Sequence, residues 1–216
     1  MPDGRFTVWE VSAMLLNLFA YFIIPAYTLL FVKGYGWFAT NFSVIGNYIH
    51  RRDAFVLWGL MVGSYFFYAL RSIVKHMDKT AEDVPSPGMP HRRRTKRTPL
   101  ITVSLVLLFC AITTPYLPEE LPLKSFLHII FAFLAAVLLL VCLIIIIWHQ
   151  YLIEPERYVS CLYAWAAIVA GSAFLLILVG IVSSALEIYY TVTTVILTRI
   201  LLARISSPGQ QNSAGR

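Results

Sequence analysis

The chain has 216 residues, of which 59% are hydrophobic and only 13% charged. Soluble domains carry roughly a quarter charged residues, so a water-soluble globule is excluded, and the mean hydropathy of +0.74 points to the membrane. The net charge of +6 would fit nucleic acid in a soluble protein. Here most of it sits between two apolar stretches, where membrane orientation accounts for it, and no nucleic-acid partner is expected.

A bilayer core about 30 Å thick takes roughly 20 apolar residues per crossing helix. Six stretches qualify, at residues 11–32, 54–74, 100–117, 126–148, 159–180 and 184–205. The last two form one block too long for a single crossing, and the turn that divides it is placed at residues 180–184. All six are expected to be helices, because open strand edges leave amides unpaired in lipid. The predicted fold is thus all-α: a polytopic six-transmembrane-helix bundle over residues 1–205, then a disordered cytoplasmic tail at 206–216. The first stretch follows a short polar lead and lacks a small-residue cleavage site, so it is expected to remain as an anchor.

Orientation follows from the basic residues. Arg71, Lys75, Lys79, Arg92, Arg93, Arg94, Lys96 and Arg97 lie between the second and third stretches. With Arg5, Arg157, Arg199, Arg204 and Arg216 they put thirteen cations on one side, against Lys33, Arg51, Arg52 and Lys124 on the other. The positive-inside rule then makes both termini and the basic loop cytoplasmic. Tyr35, Trp37, Trp58, Trp148, Tyr151 and Tyr158 read as interface belts. Residues 84–99 are Pro-rich and read as a flexible loop. Within it, Arg92, Arg93, Arg94, Lys96 and Arg97 are candidates for anionic lipid headgroups, although such a run more often only holds its loop inside. Cys110, Cys142 and Cys161 fall inside apolar stretches without CxxC spacing, and read as small buried hydrophobes rather than disulfide partners.

Ionisable groups inside a membrane are costly, and are functional candidates by default. Glu187 is the only carboxylate within the apolar blocks, and His128 the only histidine well inside a span. The topology places both near the outer leaflet. Glu187, Thr191, Thr194 and Thr198 recur at helical spacing and form one polar face. Two roles stay open. The pair can lock helices together, bonding each other or backbone carbonyls while the threonines bond back to their own helix. Alternatively it lines an outward-facing cavity for a lipid headgroup, an ion or a proton. One His and one Glu fall short of the three protein ligands of catalytic zinc, and no metal or other cofactor is expected.

The first outer loop, Asn41-Phe42-Ser43-Val44-Ile45-Gly46-Asn47, mixes turn formers with apolar side chains. It reads as a re-entrant turn packed onto the bundle, with Asn47 capping the second span. Asn41-Phe42-Ser43 also fits a glycosylation sequon. The candidate outer-leaflet site is therefore Asn41, Ser43, Asn47, His128, Glu187 and Thr191. No HExxH, GxSxG, P-loop or GxGxxG occurs, and Ser64, Ser104 and Ser172 have no base beside them in sequence.

The NFSVIGN loop, the histidine of Phe126-Leu127-His128 and the glutamate of Ala185-Leu186-Glu187-Ile188-Tyr189 together resemble the DRAM-type family of six-span proteins. That group includes autophagy modulators, a GPI-anchor remodelling factor and many microbial membrane proteins. Its loop core of Ile-Ser-x-x-Gly type corresponds to Phe42-Ser43-Val44-Ile45-Gly46. The very short loop between the last two spans and the long basic second loop depart from the family. The resemblance implies cytoplasmic termini, an outward polar site and a lipid-related role, but no particular reaction.

The expected protein is an integral, multi-pass component of the plasma membrane or an endomembrane. Without catalytic activity of its own, it would recognise lipid or assist lipid handling through the outer-leaflet site. A small transporter or proton-coupled carrier is one alternative. The other is an intramembrane lipid hydrolase with Glu187 and His128 as acid and base. Membrane lipids are the expected partners, with a homo-oligomer or other membrane proteins as the candidate protein partners.

Overall fold

The structure, a computed structural model, describes residues 8–47, 51–82 and 97–207. Among these residues every regular element is helical: α1 (Val8–Leu18), a π-helical turn (Phe19–Ile23), α2 (Ile24–Phe31), α3 (Phe42–Asn47), α4 (Arg52–Glu82), α5 (Arg97–Thr113), α6 (Pro122–Ile153), α7 (Pro155–Val179) and α8 (Ser184–Ser206). Five stretches are long and apolar enough to cross a membrane: Val11–Phe31, Arg52–Asp78, Pro122–Ile153, Pro155–Val179 and Ser184–Ser206. The fold is all-α, and the chain is an integral, multi-pass membrane protein. A shorter apolar stretch, Pro99–Thr113, lies in α5. Large side chains such as Ile177, Met14 and Phe22 face outward, as a lipid-facing surface requires.

Prolines and one glycine set the helix ends. Expected to reach residue 117, α5 stops at Thr113, because Pro115 has no N–H and its ring opposes a continuing helix. The fourth expected stretch, 126–148, extends at both ends into α6, which starts with Pro122 in its first turn. A single residue, Glu154, separates α6 from α7, with Pro155 at the head of the next helix. The final apolar block divides at Gly180, which ends α7 in the left-handed region (φ 75°) that only glycine enters without cost. Ser183 then caps α8, its hydroxyl accepting from the Leu186 amide.

The first span widens at the π turn, where the Ile24 amide reaches back five residues to the Phe19 carbonyl. Pro25 follows immediately and has no amide to give, so the widened turn absorbs its missing hydrogen bond.

Helices α4 to α8 close a ring, each packing on its chain neighbour and α8 returning to α4. The π turn and α2 fill the groove between α4 and α8, and α3 rests on α4. Polar side chains stitch the ring by donating to carbonyls of neighbouring helices: Ser104 to Ala135 (2.9 Å), Trp165 to Leu140 (3.0 Å) and Tyr190 to Ala136 (2.7 Å). In lipid such bonds supply specificity that hydrophobicity cannot, since tails and side chains are equally apolar. At the opposite end from α3, Arg204 donates to the Arg157 carbonyl and Arg157 to the Arg204 carbonyl, tying the start of α7 to the end of α8.

Two expected belt residues prove internal. Trp58 is buried, its indole N–H donating to the Thr28 hydroxyl at 3.1 Å, and Tyr158 is buried as well. Trp37 and Trp148 stay exposed. Cys110, Cys142 and Cys161 are free thiols. Arg92, Arg93, Arg94 and Lys96 lie outside the described residues, and Arg97 enters as the first residue of α5.

The seat of α3 depends on Gly46. A Cβ there would lie 2.8 Å from the Phe55 Cβ and 2.9 Å from its Cγ, atoms fixed to the α4 backbone. Gly46→Ala is therefore expected to cost about 1–3 kcal/mol by overpacking, read as earlier thermal unfolding in detergent. Gly63→Ala, whose Cβ would meet Leu108 at an ordinary 3.6 Å, is the control that should unfold near the wild-type temperature.

Candidate functional site

Residues 33–41 carry the chain from the first span to α3 through a turn at Gly34 (φ 90°). The loop folds back onto the bundle because its apolar residues are buried there. Phe42 and Ile45 are fully buried. The Phe42 ring meets Trp58 edge-on at 4.9 Å and Phe31 at 5.3 Å, while Phe55 stacks near Trp58 at 6.0 Å. Such offset and edge-to-face pairs contribute beyond area burial alone.

A one-and-a-half-turn helix leaves most of its amides without internal partners. Here three of them are supplied by named residues, Ile45 N–H donating to the Asn41 carbonyl at 3.0 Å. The Asn41 side chain accepts from the Val44 amide at 2.9 Å as the N-cap. The Glu187 carboxyl oxygen accepts from the Phe42 amide at 2.6 Å, giving the first amide of α3 an acceptor. The exchange runs both ways. The first amides of α8 need acceptors too, and the loop provides them: Ser184 N–H donates to the Thr40 carbonyl (2.6 Å) and Ala185 N–H to the Trp37 carbonyl (2.9 Å). The Ser184 hydroxyl adds a second bond to Thr40. Loop and helix thus cap each other.

His128 holds the loop from the other side. Its ring is 3% exposed, with Nδ1 2.9 Å from the Thr114 carbonyl and Nε2 2.6 Å from the Ser43 hydroxyl. A carbonyl only accepts, so Nδ1 carries a proton, and Nε2 pairs with the Ser43 hydroxyl. Tyr116 and Phe55 flank the ring at 5.7 and 6.4 Å. Ser125, one turn before His128, accepts from the Leu117 amide at 2.8 Å and anchors the α5–α6 connection.

Glu187 and His128 therefore converge on consecutive residues, Phe42 and Ser43, and not on each other. Asn47, placed by sequence at the cap of the second span, donates instead to the Ser43 carbonyl at 2.9 Å and closes α3. Thr191, Thr194 and Thr198 run along the buried face of α8 below Glu187. Thr194 and Thr198 donate to carbonyls four residues back, at 2.6 and 2.7 Å. Among the described residues no group of three His, Cys, Asp or Glu side chains is placed to hold a metal ion. Sequence reasoning missed the carbonyl acceptors Trp37, Thr40 and Thr114, since any residue can supply a carbonyl. The Ser183–Ser184 pair before Glu187 was the available signal for a capped helix start. No family model, curated protein or solved structure matches the chain.

The clasp makes a graded prediction. Glu187→Gln keeps an oxygen for the Phe42 amide, whereas Glu187→Ala leaves that amide unpaired, at a cost of about 1–3 kcal/mol. Thermal unfolding in detergent should rank wild type first, then Glu187→Gln, then Glu187→Ala. Ser43→Ala, which strips the partner from His128 Nε2, should fall between wild type and Glu187→Ala.

Proposed function

We propose that the chain is a six-crossing, non-enzymatic membrane protein of DRAM-like type, with both ends cytoplasmic. In this reading the loop clasped by Glu187 and His128 forms an outer-leaflet platform that recognises lipid or assists its handling. One observation carries the reading: the buried acid and imidazole, Glu187 and His128, are engaged by the loop's own amide and hydroxyl. Both are thus committed to positioning rather than left facing a common reaction space, as hydrolase chemistry would require. What the clasp holds in place is an aromatic edge, for Trp37 and Phe38 are 46% and 56% exposed beside the α8 N-terminus. Amphipathic rings at that level favour the headgroup region. A sixth crossing is supplied by α5, whose 17 residues span about 25 Å at 1.5 Å per residue, with Pro115 and Pro118 continuing toward the outer surface.

Two measurements test this. In a background freed of native cysteines, Asp3→Cys and Ser213→Cys should react with an impermeant thiol reagent from one side of sealed vesicles, and Glu120→Cys from the other. A Trp37→Ala/Phe38→Ala double variant should unfold near the wild-type temperature yet retain several-fold less phospholipid through purification. Unchanged retention would remove the platform from lipid recognition.

A further inference from the structure

At the other end of α8 a basic residue occupies a position that orientation does not explain. Arg199 is only 7% exposed, within the helix rather than beyond it. It lies twelve residues from Glu187, about 18 Å along the axis. Its Nε is buried with no hydrogen-bond partner. Among the described residues the ion pair is Glu154–Arg157, and Arg199 has no part in it. Native structures rarely bury a guanidinium, with its five donors and permanent charge, without an acceptor.

The same guanidinium lines a cavity of about 350 Å³ between α1, α4 and α8. The polar side chains around it are Ser12, Tyr68, Ser72, Ser206 and Ser207. Ser206 and Ser207 donate to the Leu202 and Ala203 carbonyls, which leaves the guanidinium and the Tyr68 and Ser72 hydroxyls facing the cavity, and among the described residues no carboxylate lines it. The α8 C-terminus adds a partial negative charge nearby, too small to neutralise a full cation. A planar guanidinium fork pairs with two phosphate oxygens at once, and neighbouring hydroxyls donate to the remainder. Basic pockets between spanning helices are where anionic headgroups lodge.

We propose that Arg199 and the surrounding hydroxyls form a binding site for a phosphate-bearing anion, at the opposite end of the bundle from the α3 clasp. The site is independent of the outer platform and stands whether or not that platform contacts lipid. Ser72 approaches from α4 and Arg199 from α8, so an anion bridging them ties these two helices together.

The test uses the full-length protein in mixed micelles. Wild type should be stabilised by phosphatidylglycerol over phosphatidylcholine and should retain phosphatidylglycerol in native mass spectrometry. Arg199→Gln should lower that retention at least tenfold, and Arg199→Lys should keep part of it. Ala203→Leu fills the same cavity while keeping the charge, and should also abolish binding; it decides the matter if Arg199→Gln does not fold. Millimolar inorganic phosphate that stabilises wild type but not Arg199→Gln identifies a soluble phosphate ligand. A response to phosphatidylglycerol alone identifies a headgroup. Equal retention by wild type and Arg199→Gln overturns the proposal, as does absence of any response to either anion.

Discussion

The arrangement of the α3 end of the bundle depends on a hydrogen-bond constraint of the bilayer. Where water is scarce, each backbone amide outside a helix interior needs a partner from the protein itself. Loop 33–47 leaves a helix and enters another within a few residues, and α8 begins directly beneath it. Neither segment satisfies all of its own end groups. Each therefore satisfies the other: Trp37 and Thr40 carbonyls receive the α8 amides, and Glu187 returns an acceptor to the Phe42 amide. The loop's conformation and the position of α8 are one solution to a single requirement, and the aromatic packing of Phe42 against Trp58 and Phe31 follows from it.

His128 belongs to the same logic on the neighbouring helix. By donating to Thr114 and pairing with the Ser43 hydroxyl, it connects the α5–α6 turn to the loop that α8 already holds. Three connections, residues 33–41, 114–121 and 180–183, thereby meet at one end of the molecule through side chains of only a few residues. At the other end the reciprocal arginine-to-carbonyl bonds of Arg157 and Arg204 do the corresponding work with cations, which suit helix C-termini.

The existence of the long apolar helices was legible because lipid-facing segments are continuous runs whose composition alone marks them. Glu187 and His128 were legible for the converse reason, as isolated polar groups in apolar surroundings. Their partners were not. A backbone amide such as that of Phe42 has no signature in a sequence, and a histidine does not reveal whether it faces a carboxylate, a hydroxyl or a carbonyl. Trp58 looked like a belt residue because a span-end tryptophan is usually amphipathic. The fold instead brings Thr28 to its indole N–H, a tertiary match that no local pattern contains. Arg199 was read as one more inside charge, since counting by side ignores depth. The leucines and isoleucines on either side of it were the sign that it lies within the helix.

The π turn at Phe19–Ile23 inserts one residue into an otherwise regular rod, which advances the helix by about 100°. Side chains after it therefore face a different direction from the one that a count begun at Val11 would assign. The two halves of the first crossing address separate neighbours: Ser12, Ala13 and Leu16 turn toward the arginine-lined hollow, while Thr28 and Phe31 turn toward the aromatic cluster. A single crossing thereby behaves as two independently phased rods sharing an axle, each keyed to its own leaflet.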